Sequence, residues 1–260
     1  MLPKCTPKKM INTMPLHASD PLPYSPDFHF KKFSVQQQGA AHPVGTDSVL
    51  LGSWPALQGD FKHILDIGCG TGIIALMMAQ RFATADIKAI EPHFASFECT
   101  LRNFSAAARW SSRLSAQHTT LQEYTKNHWG ESFDLIVSNP PFFINSLSNS
   151  TTHRTNARHT NHLPYEDLIA ATVRLLAPQG LLALILPFNE SRLFRQMAAI
   201  KGLYYTQICD VYSFSGQQPE RALMLFQKKP LPFQREHLVL YETPGCYTEA
   251  YKCITQDFYL

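Results

Sequence analysis

Short apolar runs alternate with longer amphipathic stretches between residues 61 and 228, a pattern typical of an α/β protein. Parallel strands are predicted at 63–67, 87–91, 113–118, 133–138 and 180–186, and helices at 72–82, 93–108, 121–128, 164–176 and 190–201. Two further runs, at 203–213 and 220–228, flank a turn-forming segment and predict an antiparallel pair at the sheet edge. The pattern as a whole predicts a seven-stranded doubly wound sheet whose last strand is antiparallel.

The two ends of the chain differ from this central pattern. Residues 1–27 contain six prolines and no regular periodicity, which predicts a flexible extension before a single domain at 28–260. An entry segment occupies 28–60, and a helix is expected within it at 47–54. Near the C-terminus, four apolar side chains recur at helical spacing and predict a closing helix with one buried face. They are Tyr247, Tyr251, Ile254 and Phe258.

The strand predicted at 133–138 stops abruptly at Asn139, which two prolines and two phenylalanines follow. Prolines cannot donate to a strand ladder and favour an extended conformation in the residue before them. We therefore expect the Asn139 side chain to be held where the sheet meets solvent. Open α/β sheets bind ligands at that edge. An amide oxygen beside an aromatic ring suits a planar group with an amine, because the oxygen accepts from N–H while the ring stacks on the plane.

A glycine-rich turn follows the first predicted strand, with Gly68, Gly70 and Gly72 ahead of an apolar helix. Glycine permits backbone conformations and a ligand approach that a Cβ atom obstructs. The spacing differs from the dinucleotide-binding G-x-G-x-x-G, and many nucleotide folds share such a turn, so the signal is weak alone. The next strand ends in Glu91, about 20 residues after the first glycine, where an adenosine ribose presents its hydroxyls. The two features reinforce each other.

The Asp-x-Gly-x-Gly-x-Gly turn that begins at Asp66, the acid Glu91 and the Asn-Pro-Pro-Phe strand end resemble the Rossmann-like S-adenosylmethionine-dependent methyltransferases of planar amino groups. Four further segments make the chain resemble, more narrowly, the bacterial tRNA-valine adenine-37 N6-methyltransferase family over roughly residues 28 to 260. These segments are 28–33, 44–54, 154–160 and 247–259. The motifs are specific as a set, although Asn-Pro-Pro-aromatic alone also marks protein glutamine and guanine-N2 methyltransferases.

This resemblance implies methyl transfer from S-adenosylmethionine to the exocyclic N6 amine of an adenine in a tRNA anticodon loop. Asn139 and the Pro140 carbonyl are expected to accept hydrogen bonds from the amine, and Phe142 is expected to stack on the base. The bound nitrogen would then direct its lone pair at the methyl group, and no metal is required. Two alternatives stay open, namely protein glutamine N5-methylation and guanine-N2 methylation of RNA.

The resemblance also implies a set of cofactor-binding residues. Asp66 is expected to fix the glycine turn and approach the methionine moiety, and Glu91 to bind the ribose. Thr46 and Asp47 are expected to line the pocket entrance. Thr120 stands where the family usually has an acid near the cofactor adenine, so a hydroxyl replaces a carboxylate. The complete set is Thr46, Asp47, Asp66, Gly68, Gly70, Gly72, Glu91, Thr120 and Asn139.

A polar segment at 144–163 follows the proposed catalytic strand end and contains neither glycine nor proline. A structureless loop of this length is usually functional or disordered. Its Arg154 and Arg158 form a compact basic element, to which Lys31 and Lys32 of the entry segment are expected to add. We expect these four cations to contact RNA backbone.

Composition limits the classes of partner. The net charge is +3, from 23 basic and 20 acidic residues, so RNA contact must be local. The six cysteines form no C-x-x-C pair and no His/Cys cluster at zinc spacing, which predicts reduced thiols in a cytoplasmic protein without a metal site. No apolar run reaches membrane-spanning length. We expect a monomer that acts on tRNA and does not contact a membrane.

Three other classes compete with this interpretation. Protein glutamine methyltransferases usually carry a sizeable helical domain before the glycine turn, whereas only 65 residues precede Asp66 here. A nucleotide-binding oxidoreductase is opposed by the glycine spacing and by the Asn-Pro-Pro strand end. A non-catalytic RNA-binding module would retain the fold, and binding of S-adenosylmethionine separates it from an enzyme.

Overall fold

A computed structural model of the chain describes residues 27–141 and 163–259, and a nine-stranded sheet runs through the described part. A separate hairpin precedes the sheet and consists of β1 (Phe28–His29) and β2 (Ser34–Val35). The sheet strands are β3 (His63–Ile67), β4 (Asp86–Glu91), β5 (Leu114–His118), β6 (Phe133–Ser138), β7 (Leu176–Pro187), β8 (Tyr204–Phe214), β9 (Arg221–Gln227), β10 (Gln234–Thr243) and β11 (Cys246–Tyr247). Their order across the sheet is β11-β10-β8-β9-β7-β6-β3-β4-β5.

The direction of the strands confirms a largely parallel α/β sheet with an antiparallel strand. Strands β3 to β7 lie parallel, and β9 runs antiparallel to both of its neighbours, β7 and β8. The predicted number of seven strands is wrong, because β10 and β11 extend the sheet beyond β8. Strand β10 begins with four exposed polar residues, and only Leu238 and Leu240 are buried. An apolar pattern this short does not distinguish a strand from a loop.

Helices cover both faces of the sheet, as a doubly wound fold requires. They are α1 (Thr46–Ser53), α2 (Ile73–Arg81), α3 (Phe94–Ala106), α4 (Leu121–Asn127), α5 (Tyr165–Leu175), α6 (Phe188–Ile200) and α7 (Glu249–Thr255). Helices α1, α2, α3 and α7 share one hydrophobic core with the sheet, and α4, α5 and α6 share a second. Strand β6 alternates between the two, since Leu135 and Val137 lie in the first core and Ile136 in the second.

Two of the element boundaries that differ from the sequence prediction change the type of element to which a residue belongs. Strand β7 begins at Leu176, where it pairs with Phe133, and a register shift follows before the pairing continues. The closing helix begins only at Glu249, so Tyr247 lies in β11 rather than in the helix. Thr248 is the N-cap residue of this helix, because its hydroxyl accepts a hydrogen bond from the Tyr251 N–H at 3.1 Å.

The extension predicted at 1–27 lies outside the described residues except for residue 27, so its flexibility and the single-domain boundary stay predictions. Across residues 27–141 and 163–259, every helix is too short or too polar to cross a lipid bilayer.

Candidate functional site

The carboxyl ends of the three neighbouring strands β6, β3 and β4 lie side by side in the sheet. Ile67, the last residue of β3, pairs with Ile90 on one side and with Ser138 on the other. The Ser138 hydroxyl also donates to the Ile67 carbonyl at 2.9 Å. The chain leaves β3 towards β4 on one side and returns as β6 on the other, and open α/β sheets bind ligands at such a switch point. This register brings the glycine turn, Glu91 and Asn139 to one edge.

The glycine turn after β3 leaves open space above its backbone. Gly68 and Gly70 have φ angles of 70° and 59°, and a Cβ atom built on either would meet nothing within 4 Å. Their conformation favours glycine while the space beside them stays free for a ligand. Gly72 differs, because a Cβ atom there would lie 2.8 Å from the Phe104 ring. The turn therefore presents bare backbone on one side and packs against α3 on the other.

Two polar side chains of helix α3 hold the far side of the glycine turn. The Thr100 hydroxyl donates to the Gly70 carbonyl at 2.8 Å, and the Asn103 amide donates to the Thr71 carbonyl at 2.8 Å. Both side chains are fully buried. Because these bonds fix peptide planes of the turn, the turn keeps its shape without a ligand. Neither residue is predicted from the sequence, and the only signal they leave is a polar pair at i and i+3 on the buried face of a helix.

Glu91 closes the glycine turn from the end of β4. One carboxylate oxygen accepts a hydrogen bond from the Gly70 N–H and the other from the His93 N–H, both at 2.9 Å. The side chain is only 7% exposed. A carboxylate offers about four acceptor positions, so these two backbone bonds leave room for ligand hydroxyls. Glu91 thus stabilises the turn in the ligand-free protein and still presents acceptors at the edge.

Asp66 lies directly before the turn and is completely buried. Its Oδ2 accepts a hydrogen bond from the Ala75 N–H at 3.1 Å, whereas Oδ1 is buried without a hydrogen-bond partner in the described part of the chain. Burial raises the pKa of Asp66 from 3.8 to about 7; the bond from Ala75 opposes this shift and the charge of Glu91 adds to it. A buried acceptor without a partner is costly, so this oxygen marks a place for a ligand donor.

Asn139 directly follows β6, and within the described residues its amide nitrogen is hydrogen-bonded whereas its amide oxygen is not. Nδ2 donates to the Ser48 hydroxyl of α1 at 3.1 Å. Among the described residues nothing bonds to Oδ1, although this atom is buried. The following Pro140 is buried as well, and its ring restrains the backbone at the strand end. The free oxygen lies at the same edge as the glycine turn and can accept a hydrogen bond from a ligand amine.

Helix α1 packs beside Asn139 and is tied to the sheet by an ion pair. Asp47 accepts a hydrogen bond from Arg221 Nε at 2.9 Å, and Arg221 pairs with Pro187 at the end of β7. Thr46 is the first residue of the helix. The expected roles of Thr46 and Asp47 at the cofactor entrance stay predictions. The contacts that Ser48 and Arg221 make are not predictable from the sequence, since they span 91 and 174 residues.

Thr120 caps helix α4 at the end of β5. Its hydroxyl accepts a hydrogen bond from the Glu123 N–H at 3.2 Å, while the Glu123 carboxylate accepts one from the Thr120 N–H at 3.3 Å. This reciprocal capping box explains a threonine at this position through helix stability alone. The hydroxyl proton remains available to another acceptor, and the contact with a cofactor stays a prediction.

Lys31, one of the predicted RNA-binding lysines, lies near the C-terminal end of helix α2. Lys31 Nζ donates to the Gln256 carbonyl at 2.6 Å. Gln80, in the last turn of α2, donates to the Asp257 carbonyl at 2.9 Å. Helix α2 begins at the glycine turn, and its nine residues span about 13 Å. These contacts place Lys31 near the end of α2 opposite to the glycine turn.

Three predicted site residues, Phe142, Arg154 and Arg158, lie outside the described residues. Base stacking by the phenylalanine and RNA contact by the arginines and lysines stay predictions.

The described part of the chain presents neither a reactive thiol nor a group of metal ligands at this edge. Burial raises the pKa of the Cys69 thiol well above its usual value, so the thiol stays protonated. Within residues 27–141 and 163–259, no group of three or more His, Cys, Asp or Glu side chains is placed to hold a metal ion. A metal-independent reaction stays a prediction.

Residues 45–190 match the family model described as Methyltransferase small domain. The matched range contains Asp66, the glycine turn, Glu91 and Asn139. A tRNA1(Val) (adenine(37)-N6)-methyltransferase of Flavobacterium psychrophilum is 38% identical over 233 residues, which cover 90% of this chain and 99% of that protein. A protein of the same description from Trichodesmium erythraeum is 40% identical over 235 residues, which cover 90% of this chain and 97% of that protein.

Solved structures share the fold at low identity. A predicted O-methyltransferase from Agrobacterium tumefaciens has a TM-score of 0.62 and 18% identity, and the match covers 82% of this chain and 96% of that chain. A ribosomal protein L11 methylase from Lactobacillus delbrueckii subsp. bulgaricus has a TM-score of 0.51 and 15% identity, and the match covers 78% of this chain and 100% of that chain. Identities this low show the fold alone.

Proposed function

The chain belongs to the tRNA1(Val) (adenine(37)-N6)-methyltransferase family, within the methyltransferase small-domain family, and we propose that it methylates N6 of adenine 37 in tRNA-Val with S-adenosylmethionine as methyl donor. The family expected from the sequence motifs is confirmed. The observation that carries the proposal is the buried Oδ1 atom of Asn139, which lacks a partner in the described residues and lies at the edge formed with the glycine turn. A substrate amine would supply the missing donor.

The residues around the glycine turn fit S-adenosylmethionine, which when bound supplies an electrophilic methyl group on a positively charged sulfur. Gly68 and Gly70 leave room for a ligand against bare backbone. Glu91 retains acceptor positions that suit the two ribose hydroxyls. Oδ1 of Asp66, which has no hydrogen-bond partner among the described residues, suits the ammonium group of the methionine moiety. The ribose hydroxyls and the ammonium group of the cofactor would thus meet groups of matching chemistry.

Asn139 is the residue that we propose to hold the substrate amine. The lone pair of an adenine N6 atom is delocalised into the ring, which makes this nitrogen a poor nucleophile. Hydrogen bonds from N6–H to Asn139 Oδ1 and to the Pro140 carbonyl would favour a more tetrahedral nitrogen with a directed lone pair. A bound S-adenosylmethionine would supply the methyl group to this lone pair: an N–C bond would form as the C–S bond broke, and the methylated amine would then release one proton to water. Correct placement of the two reactants can lower the barrier by up to ~7–11 kcal/mol.

The RNA side of the proposal rests on residues outside the described part of the chain. Phe142 would stack on the adenine, a contact worth ~1–3 kcal/mol for an exposed base. Arg154 and Arg158 would neutralise backbone phosphates. A base in a single-stranded anticodon loop can enter the site without disruption of a duplex, which keeps the cost of substrate binding low.

A glutamine amide and the N2 amine of guanine are also planar groups with N–H donors, and the same amide oxygen could receive either. The names of the relatives at 38% and 40% identity favour adenine. Incubation of the purified protein with methyl-labelled S-adenosylmethionine and either total tRNA or total protein distinguishes the three candidate substrates, namely adenine, guanine and a protein glutamine. We expect the label in N6-methyladenosine after nuclease digestion. Label only in N2-methylguanosine or in N5-methylglutamine would contradict the proposal.

A further inference from the structure

Within residues 27–141 and 163–259, the side-chain amide of Asn139 is hydrogen-bonded at one end only. Ser48 Oγ, in the first turn of α1, lies 3.1 Å from Nδ2, whereas the buried Oδ1 has no partner in the described part of the chain. The two ends of an amide have opposite hydrogen-bonding character, because the nitrogen donates and the oxygen accepts. The contact that Ser48 makes therefore leaves the accepting end for the site.

The terminal torsion of an asparagine side chain is broad, so this amide needs a partner to hold its plane. If the plane turns, the oxygen no longer points at the amine, and after half a turn an N–H donor faces an N–H donor. Backbone restraint from Pro140 fixes where the side chain begins but does not fix this last torsion. A hydrogen bond at the distal end supplies the restraint that the backbone cannot.

Helix α1 is held firmly enough to act as the support. Asp47 precedes Ser48 in the helix and forms the 2.9 Å ion pair with Arg221, whose strand pairs with the end of β7. The next turn of the helix is buried, with Val49, Leu50 and Leu51 at most 1% exposed. The backbone that carries the serine hydroxyl is therefore held in place by the sheet and by the core.

We propose that Ser48 is a positioning residue for methyl transfer, which anchors the Asn139 amide so that its oxygen faces the substrate amine. This inference rests on the proposed function. It assigns Ser48 an effect on the transfer step and none on cofactor or tRNA affinity.

The test compares two Ser48 variants whose side chains have the same shape, one with a hydroxyl group and one without. Ser48→Thr keeps a hydroxyl and Ser48→Val replaces it by a methyl group, while both are β-branched. In single-turnover reactions with saturating cofactor and tRNA, we expect Ser48→Val to be slower by about 10-fold and Ser48→Thr to stay within about threefold of wild type. Ser53→Ala is the matched control, because Ser53 lies on the same helix and bonds only to backbone carbonyls of α1. Equal rates for the Thr and Val variants would overturn the proposal.

A second readout does not depend on turnover. NMR of protein with labelled asparagine side chains reports the Asn139 NH₂ resonances, which Asn139→Asp identifies by their loss. We expect these resonances to shift in Ser48→Val and to stay near the wild-type position in Ser48→Thr. Unchanged resonances in Ser48→Val would show that Ser48 does not hold the Asn139 amide and would overturn the proposal. A wild-type protein that transfers no methyl group to tRNA would instead refute the proposed function, so the two failures are distinguishable.

Discussion

Replacement of Asp66 by asparagine tests whether its buried carboxylate binds the positive charge of the cofactor. The side chain is fully buried, and Oδ1 has no hydrogen-bond partner in the described residues. An asparagine at this position would keep the size of the side chain and an oxygen that can accept from the Ala75 N–H. The substitution removes the negative charge, and with it the attraction for an ammonium group.

The magnitude follows from the pKa of Asp66, which burial raises from 3.8 to about 7. Because the folded-state pKa lies above the unfolded value, the folded protein binds the extra proton between pH about 4 and 7. The stability of the ligand-free protein therefore falls as pH rises through this window, by at most about 4 kcal/mol. A bound ammonium group favours the ionised carboxylate, so cofactor affinity should weaken about tenfold for each pH unit below 7.

Calorimetric titration of the wild-type protein with S-adenosylmethionine from pH 5 to pH 8 measures this linkage. We expect affinity to rise up to about pH 7 and then level off, with release of about one proton per cofactor bound at the low end. For Asp66→Asn we expect a lower affinity at pH 8 and no rise with pH, and chemical denaturation of the free variant should show a flatter pH profile. Parallel affinity profiles for wild type and variant would refute the role of this carboxylate.

Two further substitutions test the cofactor and RNA sides separately. Glu91→Ala should weaken S-adenosylmethionine binding, because each hydroxyl-to-carboxylate bond is worth ~1.5–3 kcal/mol, while Asp86→Ala at the exposed start of the same strand should not. An unchanged dissociation constant for Glu91→Ala would place the ribose elsewhere. Replacement of Arg154 and Arg158 together by alanine should reduce the slope of log tRNA affinity against log salt by the equivalent of about two phosphate contacts. Replacement of the exposed Arg109 by alanine is the control and should leave this slope unchanged. An unaltered salt slope would exclude the two arginines from RNA binding.

The glycine turn, Glu91 and Asn139 could be predicted because each lies at the carboxyl end of a short buried strand. The carboxyl ends of parallel strands meet at one edge, so three local patterns are enough to place these groups together. Their immediate sequence also fixes their conformation, through positive φ angles at glycine and through the prolines after Asn139. Local backbone chemistry therefore determines much of the candidate site.

The contacts that orient these groups could not be predicted, because they depend on the packing of distant segments. The Ser48 hydroxyl reaches Asn139 only after α1 has packed on the sheet, and no periodicity in either segment marks the pair. Asp47 illustrates the same limit, since its ion pair with Arg221 joins the entry segment to β9. Strand β10 is not predicted for a related reason, because it lies near the sheet edge and buries only two of its side chains, Leu238 and Leu240.

The most direct test of the central claim is the mass of each nucleoside from tRNA-Val transcripts treated with wild-type protein and with Asn139→Ala. One transcript carries adenine at position 37 and the other guanine. We expect N6-methyladenosine only in the adenine transcript, at least ~100-fold less transfer with Asn139→Ala, and cofactor affinity of that variant within a few-fold of wild type. Asn127→Ala, an exposed amide at the end of α4, should retain full transfer. Methylation of the guanine transcript, or full turnover by Asn139→Ala, would contradict the account.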